Sequence, residues 1–219
     1  MLTVVIQAGG GSTRMGEDKA LKPFLGRPLI QRVVDRLALI ADELIVTTNR
    51  PQDYAFLTES KVSRLWIPRL VSDLKPGRGA LGGLYTAIAS ASAPVVAVAA
   101  CDMPFASAPL LETAARLLVE EEADVVIPRT TSQAEQGKKS SGGFEPLHAV
   151  YRRAVCLPAI ESAIEADQWK VIAWFPQVKV RELTTEEIAR LDPSGLAFWN
   201  VNTPEEFAEA ERLARLSGQ

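Results

Sequence analysis

The chemistry of this chain is concentrated in Ala8-Gly9-Gly10-Gly11-Ser12-Thr13-Arg14-Met15-Gly16-Glu17-Asp18-Lys19, which follows a short apolar run. Successive glycines after a buried strand let backbone N–H groups converge on an anion with no Cβ in the way. Arg14 and Lys19 add two full charges, one able to grip phosphate oxygens as a fork and the other acting as a point charge. This is chemistry for a triphosphate. It is not a Walker loop, because Glu17 stands where Gly11 and Gly16 would require a lysine next. Nor is it a dinucleotide fingerprint, because Arg14 occupies the place of the third glycine. A second candidate is Asp102, in Ala100-Cys101-Asp102-Met103-Pro104, where one carboxylate could hold Mg²⁺ together with substrate phosphates. Phe198-Trp199-Asn200-Val201-Asn202-Thr203-Pro204 reads by itself as turn chemistry, since asparagine tolerates left-handed backbone, although asparagine carbonyls can also complete a metal shell or orient phosphates.

The elements that must position these residues alternate. Thr3–Ala8, Glu43–Thr48, Pro94–Ala100, Asp124–Pro128 and Glu145–Tyr151 read as strands. Pro94–Ala100 is apolar on both faces, as in the middle of a parallel sheet. Pro28–Ala41 reads as an amphipathic helix, with Ile30, Val33, Val34, Leu37 and Ala41 on one stripe and Arg32, Asp35 and Arg36 on the other. Ala80–Ala91 reads as a helix packed through small residues. Ser107 caps another, with Pro109 in its first turn. Thr203-Pro204-Glu205-Glu206 is a capping box opening a last helix that runs to about Leu216. Alternation of this kind predicts a Rossmann-like, doubly wound α/β fold with a mostly parallel sheet flanked by helices, as one domain over 1–219. Ligands then bind beyond the carboxyl ends of the strands, where the glycines, Asn49 and Asp102 stand. The polar segment from Thr130 to Gly143 breaks the alternation and reads as a flexible crossover or as an acceptor-binding loop carrying Lys138 and Lys139.

Bulk properties narrow the function. A net charge of −3 and a pI near 5.4 give no electrostatic footprint for nucleic acid. Cys101 and Cys156 form no CxxC pair, and a single histidine, His148, excludes a histidine-rich metal site. His148 reads as a packed or edge residue. No segment is apolar for long enough to span a membrane, and the N-terminus does not read as a signal peptide. A cytoplasmic protein is expected.

AGGGSTRMGEDKAL closely resembles the signature of Rossmann-like nucleotidyltransferases, above all the molybdenum cofactor guanylyltransferase family, whose fold is like that of nucleotide-diphospho-sugar transferases. The resemblance covers nearly the whole chain, with dense matches at 8–21, 73–83, 100–104 and 198–206. It implies that Gln7, Ala8, Gly9 and Gly10 line the nucleotide, and that Arg14 and Lys19 act on its phosphates. It also implies that Asn49, Asp73 and Asn202 contact substrate and that Asp102 binds Mg²⁺. Gln7 departs from the leucine more usual before Ala-Gly-Gly, which leaves base identity less fixed than the reaction. The implied reaction is guanylyl transfer from GTP to the phosphate of molybdopterin or molybdenum cofactor, with release of pyrophosphate. Molybdoenzyme-assembly proteins are further implied partners. Cytidylyl transfer to molybdopterin is the alternative, followed by sugar-1-phosphate nucleotidyl transfer and by a non-catalytic adapter. Gly77-Arg78-Gly79-Ala80-Leu81-Gly82 formally matches GxGxxG, but Asp73-Leu74-Lys75-Pro76 before it is no buried strand, which argues against an NAD-dependent oxidoreductase.

Overall fold

A computed structural model describes residues 1–8, 18–59, 67–130 and 143–216. In chain order its strands and α-helices are β1 (Leu2–Gln7), a two-residue hairpin β2 (Pro23–Phe24) and β3 (Arg27–Pro28), α1 (Leu29–Leu37), β4 (Glu43–Thr47), β5 (Arg69–Val71), α2 (Gly79–Ser90) and β6 (Val95–Ala100). They continue as α3 (Ala108–Glu120), β7 (Val125–Pro128), β8 (His148–Arg152), α4 (Arg153–Glu165), β9 (Val180–Leu183), α5 (Thr185–Leu191) and α6 (Pro204–Leu216).

Seven strands form one sheet in the order β5-β4-β1-β6-β8-β7-β9. β1 pairs in parallel with both β4 and β6, β4 with β5, and β7 with β9. β8 alone runs antiparallel to its two neighbours, β6 and β7. The mostly parallel, helix-flanked sheet is as expected. The expected strand Glu145–Tyr151 begins three residues later, at His148, because Glu145–Leu147 form a local turn in which the His148 N–H donates to the Glu145 carbonyl at 2.9 Å; Phe144 before it already bridges Arg129 in antiparallel sense.

Each face of the sheet carries its own core. Along β6, Val95, Ala97 and Ala99 face the layer of α1 and α3, while Val96 and Val98 face α2 and α4. All of β6 is buried, which is why its sequence shows no polar alternation.

α1 differs from its expected extent. Pro28 pairs with Pro23 in the hairpin and occupies the N-cap rather than the first turn, and the α-helix passes into a 3-10 turn at Ala38–Ile40. Its polar face is not simply solvated. The guanidinium groups of Arg32 and Arg36 donate to the carbonyls of Pro104 (2.8 Å) and Ala106 (2.9 Å). Arg32 also lies over the rings of Phe24 and Phe105. These arginines tie α1 to the segment that follows Asp102. Ser107 caps α3 as expected, its hydroxyl accepting from the Leu110 N–H at 3.3 Å.

Candidate active site

The strand order turns back on itself at β1 and β6, so connections leave these two strands in opposite directions and open a crevice at their carboxyl ends. Gln7 ends β1, and Asp102 follows β6 by two residues. Gly9, Gly10 and Arg14 lie outside the described residues, as does most of the Thr130–Gly143 segment with Lys138 and Lys139.

Lys19 opens a 3-10 turn, Lys19–Leu21, whose N-cap is Asp18. The Asp18 carboxylate is held from three sides. Oδ1 accepts from the Ala20 N–H at 3.1 Å, and Oδ2 accepts from the Tyr54 hydroxyl at 2.8 Å and from the Arg50 guanidinium. Arg50 is in turn paired with Asp53 at 3.4 Å. Burial, then the bond to Asp18, hold the Tyr54 phenol far above its ordinary pKa, so it stays a neutral donor. Thus the end of the glycine-rich segment is pinned to the segment after β4. Spacing gave no hint of this, because Tyr54 lies 36 residues from Asp18.

From this anchor, Lys19 reaches the far end of the chain. Its Nζ donates to Asn202 Oδ1 at 3.3 Å. The neighbouring Val201 N–H donates to the Asp102 carbonyl at 2.9 Å. The turn carrying Val201 and Asn202 is fixed by Glu206, whose carboxylate accepts from the Asn202 and Thr203 N–H groups at 2.7 and 3.0 Å. The Thr203 hydroxyl returns the contact by accepting from the Glu206 N–H, completing the expected capping box. Asn200 is less engaged: among the described residues its amide donates only to the nearby Phe198 carbonyl, at 3.2 Å.

Desolvation raises the Asp102 carboxyl above its usual pKa, and the charge of Lys19 pulls the other way. Among the described residues its carboxylate makes no ion pair, and Lys19 is the cation whose charge acts on it. A lone, poorly solvated carboxylate at the ligand end of a central strand fits Mg²⁺, which takes one or two carboxylates and completes its shell with phosphate and water. No cluster of three or more His, Cys, Asp or Glu suited to a metal occurs among the described residues. Cys101 beside it behaves as a packing residue, its thiol pushed well above its ordinary pKa by burial and by Asp102.

A second part of the crevice lies over β1 and β4. It is a cleft lined by Gln7, Thr47, Thr48, Asn49, Asp73, Gly83 and Thr86. Asn49 and Asp73 meet there directly, with the Asp73 N–H donating to Asn49 Oδ1 at 3.0 Å. Asp73 Oδ1 accepts from the Thr86 hydroxyl at 2.7 Å and from the Lys75 N–H at 3.0 Å. The formal GxGxxG serves this turn. A Cβ on Gly82 would stand 2.6 Å from the Lys75 carbonyl, so glycine is what lets the Asp73–Pro76 turn sit on α2. Gly79 opens α2, but the first of these glycines comes only after the Asp73–Pro76 turn rather than directly at the end of β5, so they do not make the tight strand-to-helix junction of a dinucleotide fingerprint.

His148 is fully buried and outside the crevice. Its Nε2 accepts from the Ser107 N–H at 2.9 Å, and its ring meets Phe198 edge-on. Burial lowers its pKa to about 4. It is a packed residue, as its strand position suggested.

Comparison with known proteins agrees with this geometry. Residues 4–180 match a family described as the MobA-like NTP transferase domain. A molybdenum cofactor guanylyltransferase of Desulfosudis oleivorans is 33% identical over 211 residues, covering 96% of this chain and 94% of that protein. A probable molybdenum cofactor guanylyltransferase of Pelotomaculum thermopropionicum is 35% identical over 217 residues, covering 98% and 94%. Among solved structures, molybdopterin-guanine dinucleotide biosynthesis protein A of Archaeoglobus fulgidus superposes with a TM-score of 0.77 at 23% identity, covering 98% of this chain and 99% of that one, a likeness of fold. No helix among the described residues is long and apolar enough to cross a membrane.

Proposed function

The chain belongs to the MobA-like NTP transferase family, and from that premise we propose that it transfers the guanylyl group of GTP to the terminal phosphate of molybdopterin or molybdenum cofactor. The observation that carries this reading is the meeting of Lys19, Asp102 and Asn202 at the carboxyl ends of β1 and β6, from segments up to 183 residues apart. A phosphate is the ligand such a set would hold: one cation, one carboxylate suited to a divalent ion, and an amide, beside a cleft for the rest of a nucleotide.

An acceptor phosphate oxygen attacks the α-phosphorus, the bond to the bridging oxygen breaks, and pyrophosphate leaves. The acceptor is already ionised near neutral pH, so no general base is needed. This accords with a crevice whose described residues include no histidine. Asp102 would hold Mg²⁺, which would supply charge neutralisation at the phosphates when bound. Lys19 holds a fixed positive charge toward the departing pyrophosphate, a task the family resemblance also implies for Arg14. Asn202 keeps the Lys19 ammonium from swinging toward solvent. Catalysis then rests on positioning and preorganised charge. We place the reaction in the cytoplasm, where unpaired thiols such as Cys101 and Cys156 stay reduced, and hand-off to molybdoenzyme-assembly proteins would follow.

The test is pyrophosphate release with Mg²⁺ and molybdopterin, offering GTP, CTP, ATP and UTP in parallel. Turnover with GTP is expected. Turnover with CTP alone would keep the mechanism and overturn the base. No release with any nucleotide would refute the assignment.

A further inference from the structure

Gln7 stands where the family's pattern carries an apolar leucine, and the structure shows a polar group without a task. It is the last residue of β1, and its side chain lies on the α2 side of the sheet, against Gly83. A Cβ on Gly83 would come within 2.9 Å of Gln7 Oε1. Glycine in α2 is therefore what leaves room for the carboxamide. Yet the amide is unused: Nε2 is buried and has no hydrogen-bond partner among the described residues. Burying an amide donor unpaired costs stability that a ligand could restore. A half-turn about the last side-chain torsion exchanges its two ends, so it can present either an N–H or a carbonyl to the cleft.

Asp73 lines the same cleft and is half used. Its Oδ1 is taken by Thr86 and Lys75, while Oδ2 accepts no hydrogen bond among the described residues. An ionised carboxylate can only accept. The cleft thus offers one acceptor-only group and one amide.

We propose that Gln7 and Asp73 together read the base, the Gln7 carboxamide donating to the purine O6 and Asp73 Oδ2 accepting from N1–H and the 2-amino group. This rests on the guanylyltransferase reading and deepens it. Guanine alone places two neighbouring donors beside an acceptor on its pairing edge. Cytosine would turn two acceptors, O2 and N3, toward the carboxylate. Adenine would turn N1 toward it, and uracil would give it one carbonyl. Each mismatch leaves like-polarity groups facing one another in a site with little water to screen them. In this chain the leucine's apolar contact is exchanged for a hydrogen bond, and base choice shifts toward polar readout.

The experiment is equilibrium binding of nucleotides by calorimetry, with Mg²⁺ and without acceptor. The ligands are GTP, ITP (no 2-amino group), 6-thio-GTP (a weak acceptor in place of O6) and CTP. The unaltered protein is expected to prefer GTP over 6-thio-GTP and over ITP by roughly tenfold each, about one hydrogen bond, and over CTP by more. Gln7→Leu should weaken GTP about tenfold and erase the preference over 6-thio-GTP while keeping that over ITP. Asp73→Asn should erase the preference over ITP. Equal binding of GTP and 6-thio-GTP by the unaltered protein overturns the assignment without recourse to any variant. So does a Gln7→Leu protein that keeps the original ratio. Binding of none of the nucleotides refutes the guanylyltransferase reading itself, and the inference with it.

Discussion

Replacing Tyr54 with phenylalanine removes one hydroxyl and leaves the ring, which is fully buried against the β1–β4 core, where it was. No cavity opens beyond one oxygen. What is lost is the donor to Asp18 Oδ2 at 2.8 Å and a weaker contact to the Ala8 carbonyl at 3.4 Å. A hydrogen bond to a charged group is worth about 1.5–3 kcal/mol. Asp18 keeps Arg50 and the Ala20 N–H, so its carboxylate is not orphaned, and the lower end, about 1.5 kcal/mol, applies. Urea denaturation should show that loss with an unchanged m-value. The functional share follows from chain position. Lys19 is the next residue after Asp18, so freedom at Asp18 becomes freedom of the ammonium. If the whole loss falls on Lys19, kcat/KM drops about tenfold, because each 1.36 kcal/mol is one decade. The drop should not vary between pH 6 and 9, since the phenol stays neutral throughout. A Tyr54→Phe protein that loses stability and keeps full kcat/KM would show that the Asp18 anchor serves the fold alone. One that loses neither would show that the bond contributes nothing.

Other outcomes follow from the same geometry. Lys19→Ala and Asp102→Ala should each lower pyrophosphate release by a factor on the order of 10² or more, as removal of a charge-stabilising group does, with near-native circular dichroism. Near-normal rates in either would sink the mechanism. His148 has a native pKa near 4 against an ordinary 6.5, so the unfolded chain takes up its proton first. Its contribution is whole above pH 6.5, is lost as pH falls toward 4, and amounts to about 3 kcal/mol at most. Stability plotted against pH for His148→Gln should lose that fall on acidification, leaving the opposite-signed contribution of Asp102, whose carboxyl is raised by desolvation. Glu43 acts lower down. Burial would raise its pKa, but hydrogen bonds from Thr3, Ser92 and Arg69 bring it to about 2, so its contribution fades as pH falls from 4.5 toward 2. Gly82→Ala should lower the melting temperature and weaken nucleotide binding together, because its Cβ would strike the Lys75 carbonyl and shift Asp73. The cost is about 1–3 kcal/mol of stability, and a neutral result would show that the turn can yield.

Much of the sheet was legible because burial on both faces leaves a mark in the sequence. Val95–Ala100 could hardly be read otherwise, and the caps at Ser107 and Thr203 announce themselves by residue type. The elements between Arg152 and Phe198 carried weaker marks. α4 contains Pro158, which removes a backbone donor and argues against a helix interior. β9 reads Val-Arg-Glu-Leu and is an edge strand with only Leu183 fully buried. The chain leading into β8 already runs antiparallel where Phe144 bridges Arg129, and the direction a strand takes in a sheet is not encoded in its periodicity. At the site, Lys19, Asp102 and Asn202 were found by type and resemblance. Arg50 and Tyr54 were not, since their roles come from contacts across 32 and 36 residues. Gly83 was invisible for a similar reason: its meaning lies in the side chain opposite.

The bond between Lys19 and Asn202 also bears on the order in which this molecule becomes competent. Joining residues 183 apart carries the entropy of closing nearly the whole chain into a loop. β1, β4 and β6 can pair, and the nucleotide cleft can form, before the segment around Val201 docks beneath Asp102. A partly folded molecule of that kind would present a sheet and a base pocket while its lysine was still untethered. Regular secondary structure would then return early in refolding, and turnover late, when the C-terminal helix seats. On that order the reactive centre would stay open until the last of the described elements is in place.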